Sequence, residues 1–197
     1  MATQTSAPTL RLALLPRTGL LTDALLVAGG AGLIAASAQI SFGGPVPITG
    51  QTFAVLLVGA SLGTVRGGAA GLLYVLAGLL FPVYAPHTGY GFATITSASG
   101  GYLVSYPFVT ALTGFLAEHR WDRKFSSAIG AMLTGNVVIY LFGLPWLAVV
   151  LNTNLQKTLE LGLYKFIPGD TLKLYLAAAA LPGAWRLAEA AKRRTGR

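Results

Sequence analysis

The 197-residue chain has no cysteine, so disulfide frameworks and thiolate chemistry are excluded. Its only two histidines, His87 and His119, fall in loops expected on opposite sides of the molecule. No set of side chains has metal-ligand spacing. No G-x-x-x-x-G-K-[ST] phosphate loop and no H-E-x-x-H pair occur, so the chain carries no visible means of using a nucleotide. Gly59-Ala60-Ser61-Leu62-Gly63 has the letters of G-x-S-x-G. It sits inside an apolar helical run rather than at a strand–turn–helix elbow, and is read as chance.

Charge is also scarce. Charged residues make up 10% of the chain, against roughly 25% in soluble domains. Residues 24–65, 67–117 and 125–156 contain no Asp, Glu, Lys or Arg. A chain 54% hydrophobic with such runs cannot build a water-facing surface. A membrane-spanning helix needs about 20 mostly apolar residues. The first two runs each hold two spans and a turn, and the third holds one. The 25 glycines and 10 prolines suit the same class.

The pattern predicts an all-α membrane protein with about six transmembrane helices in a single integral membrane domain over residues 1–197. Residues 1–19 form a tail. The spans cover Leu20–Ile40, Gln51–Gly63, Ala69–Val83, Gly101–Ala117, Phe125–Leu144 and Pro168 to about Ala188, and residues 191–197 form a basic tail. Ser41–Gly50 is too rich in Pro and Gly to continue a helix. Arg66 is expected in a turn, Thr64–Gly68. Span five is expected to stop before Pro145.

The net charge of +8 would raise nucleic-acid binding in a soluble protein; here it follows topology. Arg11, Arg17, Arg66, Arg120, Arg123, Lys124, Arg186, Lys192, Arg193, Arg194 and Arg197 fall on one side if both termini share it. Only Lys157 and Lys165 fall on the other. The positive-inside rule therefore puts both termini in the cytoplasm and the long neutral loops outside. Arg11, Arg17 and Ala36-Ser37-Ala38 also resemble a signal peptide and its cleavage site, although the apolar run is long for one.

An ionisable residue inside a span is costly and is a functional candidate. Asp170 and Lys173 lie three apart at the start of span six, on one helix face, just after Pro168-Gly169. Together they offer an acceptor and a cation beside a helix N-terminus. The competing reading makes Asp170 a helix cap and Lys173 a snorkelling side chain. Gln39, Gln51 and Asn136 are read first as bridges between helices. Tyr84, Tyr90, Tyr102, Tyr140 and Trp146 gather toward the outer side, as an aromatic belt or as the wall of a pocket for a flat ligand. Ala24, Ala28, Gly32 and Ala36 fall four apart, a strip that lets another helix approach closely. By spacing alone, that helix belongs to the same chain.

Four segments in series carry a resemblance. Pro45-Val46-Pro47-Ile48-Thr49-Gly50-Gln51-Thr52, Gly100-Gly101-Tyr102-Leu103, Tyr140-x-x-Gly143-x-x-Trp146-Leu147 and Pro168-Gly169-Asp170-x-x-Lys173 resemble the BioY family over residues 20–190. These are biotin-specific substrate-binding (S) components of energy-coupling-factor transporters. The resemblance implies an S-component-like bundle of six helices, an outward-facing biotin pocket, and docking onto a transmembrane coupling protein served by two ATPases. It implies no enzyme activity and no cofactor. It gives Asp170 the cyclic urea of biotin and Lys173 its carboxylate. It draws Gln51, Tyr90, Gly91, Gly100, Gly101, Tyr102 and Trp146 to the pocket, and Ala24, Ala28 and Gly32 to the coupling-protein interface. Ser97-Ala98-Ser99 departs from the Gly-Pro-Thr common in the family. The same scaffold for another small vitamin, a membrane-embedded enzyme and a stand-alone secondary transporter are the alternatives. The last two lack, respectively, a nucleophile–base pair and visible inverted repeats.

Overall fold

The computed structural model describes residues 9–14, 19–86 and 88–195; Arg17, His87 and Arg197 lie outside them. A short helix α1 (Leu10–Leu14) precedes α2 (Leu20–Ala38). The Pro/Gly-rich stretch then forms a small antiparallel hairpin of β1 (Ser41–Phe42) and β2 (Ile48–Thr49), pairing Ser41 with Thr49 and Phe42 with Ile48. Gly44, at φ 90°, makes the turn possible. Helices α3 (Gln51–Leu62), α4 (Thr64–Leu80), α5 (Phe92–Ile95), α6 (Gly100–Glu118), α7 (Phe125–Leu151) and α8 (Leu155–Leu159) follow. A π-helical turn (Glu160–Tyr164) and the long α9 (Ile167–Thr195) complete the order. The six expected spans correspond to α2, α3, α4, α6, α7 and α9. By length and composition, α2 and α7 are each long and apolar enough to cross a membrane.

Several boundaries differ from the sequence expectation for identifiable reasons. The turn around Arg66 shrinks to one residue, Gly63, at φ 89°. Its N–H closes α3 onto the Gly59 carbonyl at 3.0 Å. Glu118, from the end of α6, then caps α4 by accepting from the Thr64 backbone N–H at 2.9 Å and its hydroxyl at 2.7 Å. Arg66 therefore stands in the first turn of α4. It forks onto the Asp23 carboxylate of α2 at 2.7 and 3.0 Å, and Arg11 of α1 joins at 2.9 Å. Asp23 is the only carboxylate before Glu118 in the sequence. Likewise α7 runs through Pro145 and ends at Leu151, where Asn152 takes a left-handed conformation. Proline costs a membrane helix less than a soluble one because packed neighbours re-satisfy the freed backbone.

Packing centres on α6, which lies against α3, α4 and α7. Glycines make this possible. A side chain at Gly59 or Gly71 would overlap Thr110 of α6, and one at Gly67 would meet the Thr110 carbonyl oxygen at 2.9 Å. A side chain at Gly114 would run into Gly63. The helices thus approach nearly backbone to backbone, as small residues allow where lipid supplies no hydrophobic push. By contrast, Ala24, Ala28 and Gly32 of α2 are exposed, and open space surrounds Gly29 and Gly32. Among the described residues, no helix packs onto the strip. Gly59→Ala should lower stability by about 1–3 kcal/mol, read as the thermal unfolding midpoint in detergent. Gly29→Ala should leave it unchanged, and equal midpoints for both variants would refute the packing account.

Candidate functional site

A cavity opens at the end of the bundle that carries the hairpin. Its walls come from β2, the start of α3, the residues after α4, α6, α7 and the start of α9. Helix α9 begins at Ile167, with Pro168 preset for its first turn and the Asp170 N–H donating to the Phe166 carbonyl at 2.8 Å. This start delivers Asp170 and Lys173 to the cavity. Asp170 is 7% exposed. One of its oxygens accepts from Lys173 Nζ at 3.0 Å and from the Thr52 hydroxyl at 3.4 Å; the other accepts from the Tyr140 hydroxyl. Lys173 Nζ also donates to Thr52 Oγ1 at 3.1 Å. A buried carboxylate must be paired and hydrogen-bonded to be tolerated, and here three elements supply the partners.

The remaining wall is mostly aromatic. Tyr102, Tyr106, Tyr140 and Phe166 surround the ionic pair, and Tyr102 meets Tyr140 edge-on with 6.4 Å between ring centroids. The Tyr102 hydroxyl donates to the Gly162 carbonyl at 2.9 Å, which ties α6 to the π-helical turn. Gln51 faces the cavity, bonded to the hydroxyls of Thr49, at 2.8 Å, and Tyr74. Tyr84 lines the cavity from the loop after α4; burial pushes its phenol up to about 12, so it stays neutral. Ser99 also lines the cavity, and its buried hydroxyl has no hydrogen-bond partner among the described residues. About 40 Å³ of solvent-sized space remains between these side chains.

Of the residues singled out in the sequence, Asp170, Lys173, Gln51 and Tyr102 line the cavity. Gly100, Gly101 and Trp146 stand behind its wall. A side chain at Gly100 would overlap the Ile95 carbonyl, and one at Gly101 would overlap Trp146. Trp146 itself donates to the Ser97 carbonyl at 2.9 Å, fastening the loop before α6. Tyr90 is 57% exposed, and neither it nor Gly91 belongs to the wall. Gln39 bridges to the Tyr84 carbonyl at 3.3 Å. Asn136 is buried in α7, away from the cavity. Sequence reasoning passed over Thr52 and Ser99 as site groups, though each adjoins a residue it did weigh. It also missed Lys165. That side chain donates to the Val46 carbonyl at 2.9 Å, fastening the hairpin to the chain before α9, and burial depresses its pKa. Among the described residues no group of three His, Cys, Asp or Glu side chains could hold a metal ion. The site offers one anion–cation pair, neutral hydroxyls and flat apolar walls, which suits binding a small polar-headed ring system.

The model of the BioY family matches residues 4–190. The biotin transporter BioY of Rhizobium etli is 36% identical over 142 residues, covering 68% of this chain and 75% of that protein. A protein of Pyrococcus horikoshii named "Probable biotin transporter BioY" is 38% identical over 164 residues, covering 82% of this chain and 93% of that one. Among solved structures, the S-component for biotin from an ECF-type ABC transporter superposes with a TM-score of 0.74 at 26% identity. The match covers 84% of this chain and 92% of that one.

Losing a hydrogen bond to a charged group typically costs more than 1 kcal/mol. Lys165→Ala should therefore raise amide hydrogen exchange across residues 43–48 about tenfold, with exchange in α6 unchanged. Unaltered exchange in the hairpin would show that Lys165 does not hold it.

Proposed function

The chain belongs to the BioY family, and we propose that it captures biotin as the S component of an energy-coupling-factor importer, a transport subunit rather than an enzyme. The observation that carries this reading is the Asp170–Lys173–Thr52–Tyr140 network, buried among aromatic rings at the start of α9. Biotin presents a cyclic urea, a sulfur-containing ring and a carboxylate tail. Its rings match the apolar aromatic wall, and its polar edges need donors and acceptors at fixed points.

The pairing of Asp170 with Lys173 at 3.0 Å supports a division of labour other than the one the resemblance implies. A cyclic urea carries an N–H and a C=O side by side. Asp170 accepts from the urea N–H, Lys173 donates to the urea oxygen, and the Ser99 hydroxyl is free for a further bond. The carboxylate tail then points to the mouth, between the hairpin and the side of Tyr84, Ala85 and Thr88. The narrow cavity means that the wall must part for the rings to enter.

The orientation supported by the charge count places both termini in the cytoplasm of a prokaryotic cell and the cavity on the outer side of the plasma membrane. Twelve residues of α3 rise about 18 Å, short of the roughly 30 Å hydrocarbon core. The hairpin and cavity therefore sit within the depth of the bilayer, where irregular backbone is tolerated because it lines a cavity. The chain carries no phosphate loop, so a transmembrane coupling protein and two ATPases supply the energy. The exposed Ala24, Ala28 and Gly32 strip is the surface offered to the coupling protein.

Equilibrium binding to the purified, detergent-solubilised chain tests the reading. Wild type should bind biotin, and Asp170→Ala and Lys173→Ala should each weaken it by about 10- to 100-fold, the cost of leaving a buried charged partner unpaired. A folded wild type that ignores biotin would end the assignment. Lys173→Ala should weaken biotin and biotin amide equally. A selective loss for biotin would return Lys173 to the carboxylate. Ala28→Leu should abolish uptake by the full complex with biotin binding intact; impaired binding would make the strip part of the bundle's own packing.

A further inference from the structure

The end of the bundle opposite the substrate cavity holds a second cavity that biotin capture leaves unused. It lies between α9 and the connection 119–124, encloses about 670 Å³, and is lined by Arg120, Arg123, Lys124 and Arg186 against one carboxylate, Glu189. Its floor is built rather than incidental. Trp185 is 5% exposed and donates its indole N–H to the buried carboxylate of Asp122. Arg123 Cζ sits over the Trp185 ring, 3.3 Å from its centroid, and Arg123 Nε is 3.5 Å from Asp122 Oδ1. One cation is thereby locked in place by stacking and pairing.

Two further features raise the positive potential there. Arg120 adopts φ 67°, a left-handed conformation that glycine or asparagine holds more cheaply. The strain sets an arginine at the cavity's edge. Lys124 is the N-cap of the 27-residue α7, whose first turn has neither a side-chain cap nor an acidic residue. The unsatisfied N–H groups and positive dipole end of α7 thus adjoin the same basic loop, and Ser127 of that first turn lines the cavity. Beside it, Trp121 and Phe125 are 42% and 47% exposed, and the Trp121 ring lies along α7 at Gly130. Aromatic rings next to a basic recess mark the boundary between headgroups and acyl chains.

We propose that this recess binds the headgroup of an anionic phospholipid of the cytoplasmic leaflet, with its phosphate among Arg123, Lys124 and Arg186 and its glycerol beside Trp121. The site rests on the membrane orientation proposed above. Exposed apolar rings at its rim favour a lipid over a soluble phosphate.

Native mass spectrometry of the purified full chain, titrated with phosphatidylglycerol or phosphatidylcholine, tests this, with biotin binding read on the same samples. Phosphatidylglycerol should be retained in preference to phosphatidylcholine. Each cation near an anionic headgroup is worth about a fivefold change in affinity. Lys124→Gln/Arg186→Gln should therefore weaken phosphatidylglycerol about 25-fold and leave biotin binding unchanged. Should the double variant not fold, Arg186→Gln alone should weaken it about fivefold. Equal retention of both lipids by a biotin-binding wild type overturns the lipid site and spares the biotin reading. Selective retention of phosphatidylglycerol without biotin binding does the reverse. Displacement of the lipid by an equal concentration of glycerol 3-phosphate would reassign the recess to a soluble anion and overturn the proposal.

Discussion

The closest constraint in this molecule is the distance between backbones where α3 and α4 cross α6. Lipid tails solvate an apolar helix as well as another helix does, so burial alone does not hold a membrane bundle together. Dispersion contacts and hydrogen bonds must do so, and both need short range. Glycine at positions 59, 67, 71 and 114 provides that range. The one-residue break at Gly63, the Glu118 cap on α4 and the ion cluster of Arg11, Asp23 and Arg66 follow from it. Each becomes possible only when three helix ends meet at the same place.

The cavity at the start of α9 depends on that packing at a distance. Asp170 draws its partners from α3, α7 and α9, so its environment exists only if those helices hold register. A buried ion pair contributes little net stability on its own. Its value here is chemical: a fixed acceptor and a fixed donor 3.0 Å apart, among rings that exclude water. The hydrogen bonds of Tyr102, Trp146 and Lys165 to backbone carbonyls secure the loops around it.

Much of this was legible in the sequence. Charge-free runs gave six helices because bilayer thickness leaves few other ways to arrange such residues. Pro168-Gly169-Asp170-x-x-Lys173 was legible because Asp170 and Lys173 fall within one helix turn, just after a helix-starting Pro-Gly. What stayed hidden was decided between elements. The one-residue hinge at Gly63 depends on the cap that Glu118 gives Thr64, 54 residues apart in sequence. The passage of α7 through Pro145 depends on its neighbours. Thr52 and Tyr140 join Asp170 across separations of 118 and 30 residues. The resemblance draws Trp146, Gly100 and Gly101 to the pocket, and in the fold they stand just behind the cavity wall.

The exposed alanine and glycine strip on α2 has a consequence for the cost of covering and uncovering that face. A helix face stripped of side chains presents lipid with a shallow surface that carries no polar group needing satisfaction. Leaving a partner therefore strands nothing: no charge is unpaired, no hydrogen bond is lost, and acyl chains refill the groove. Contact through such a face has a low barrier to dissociation as well as to formation.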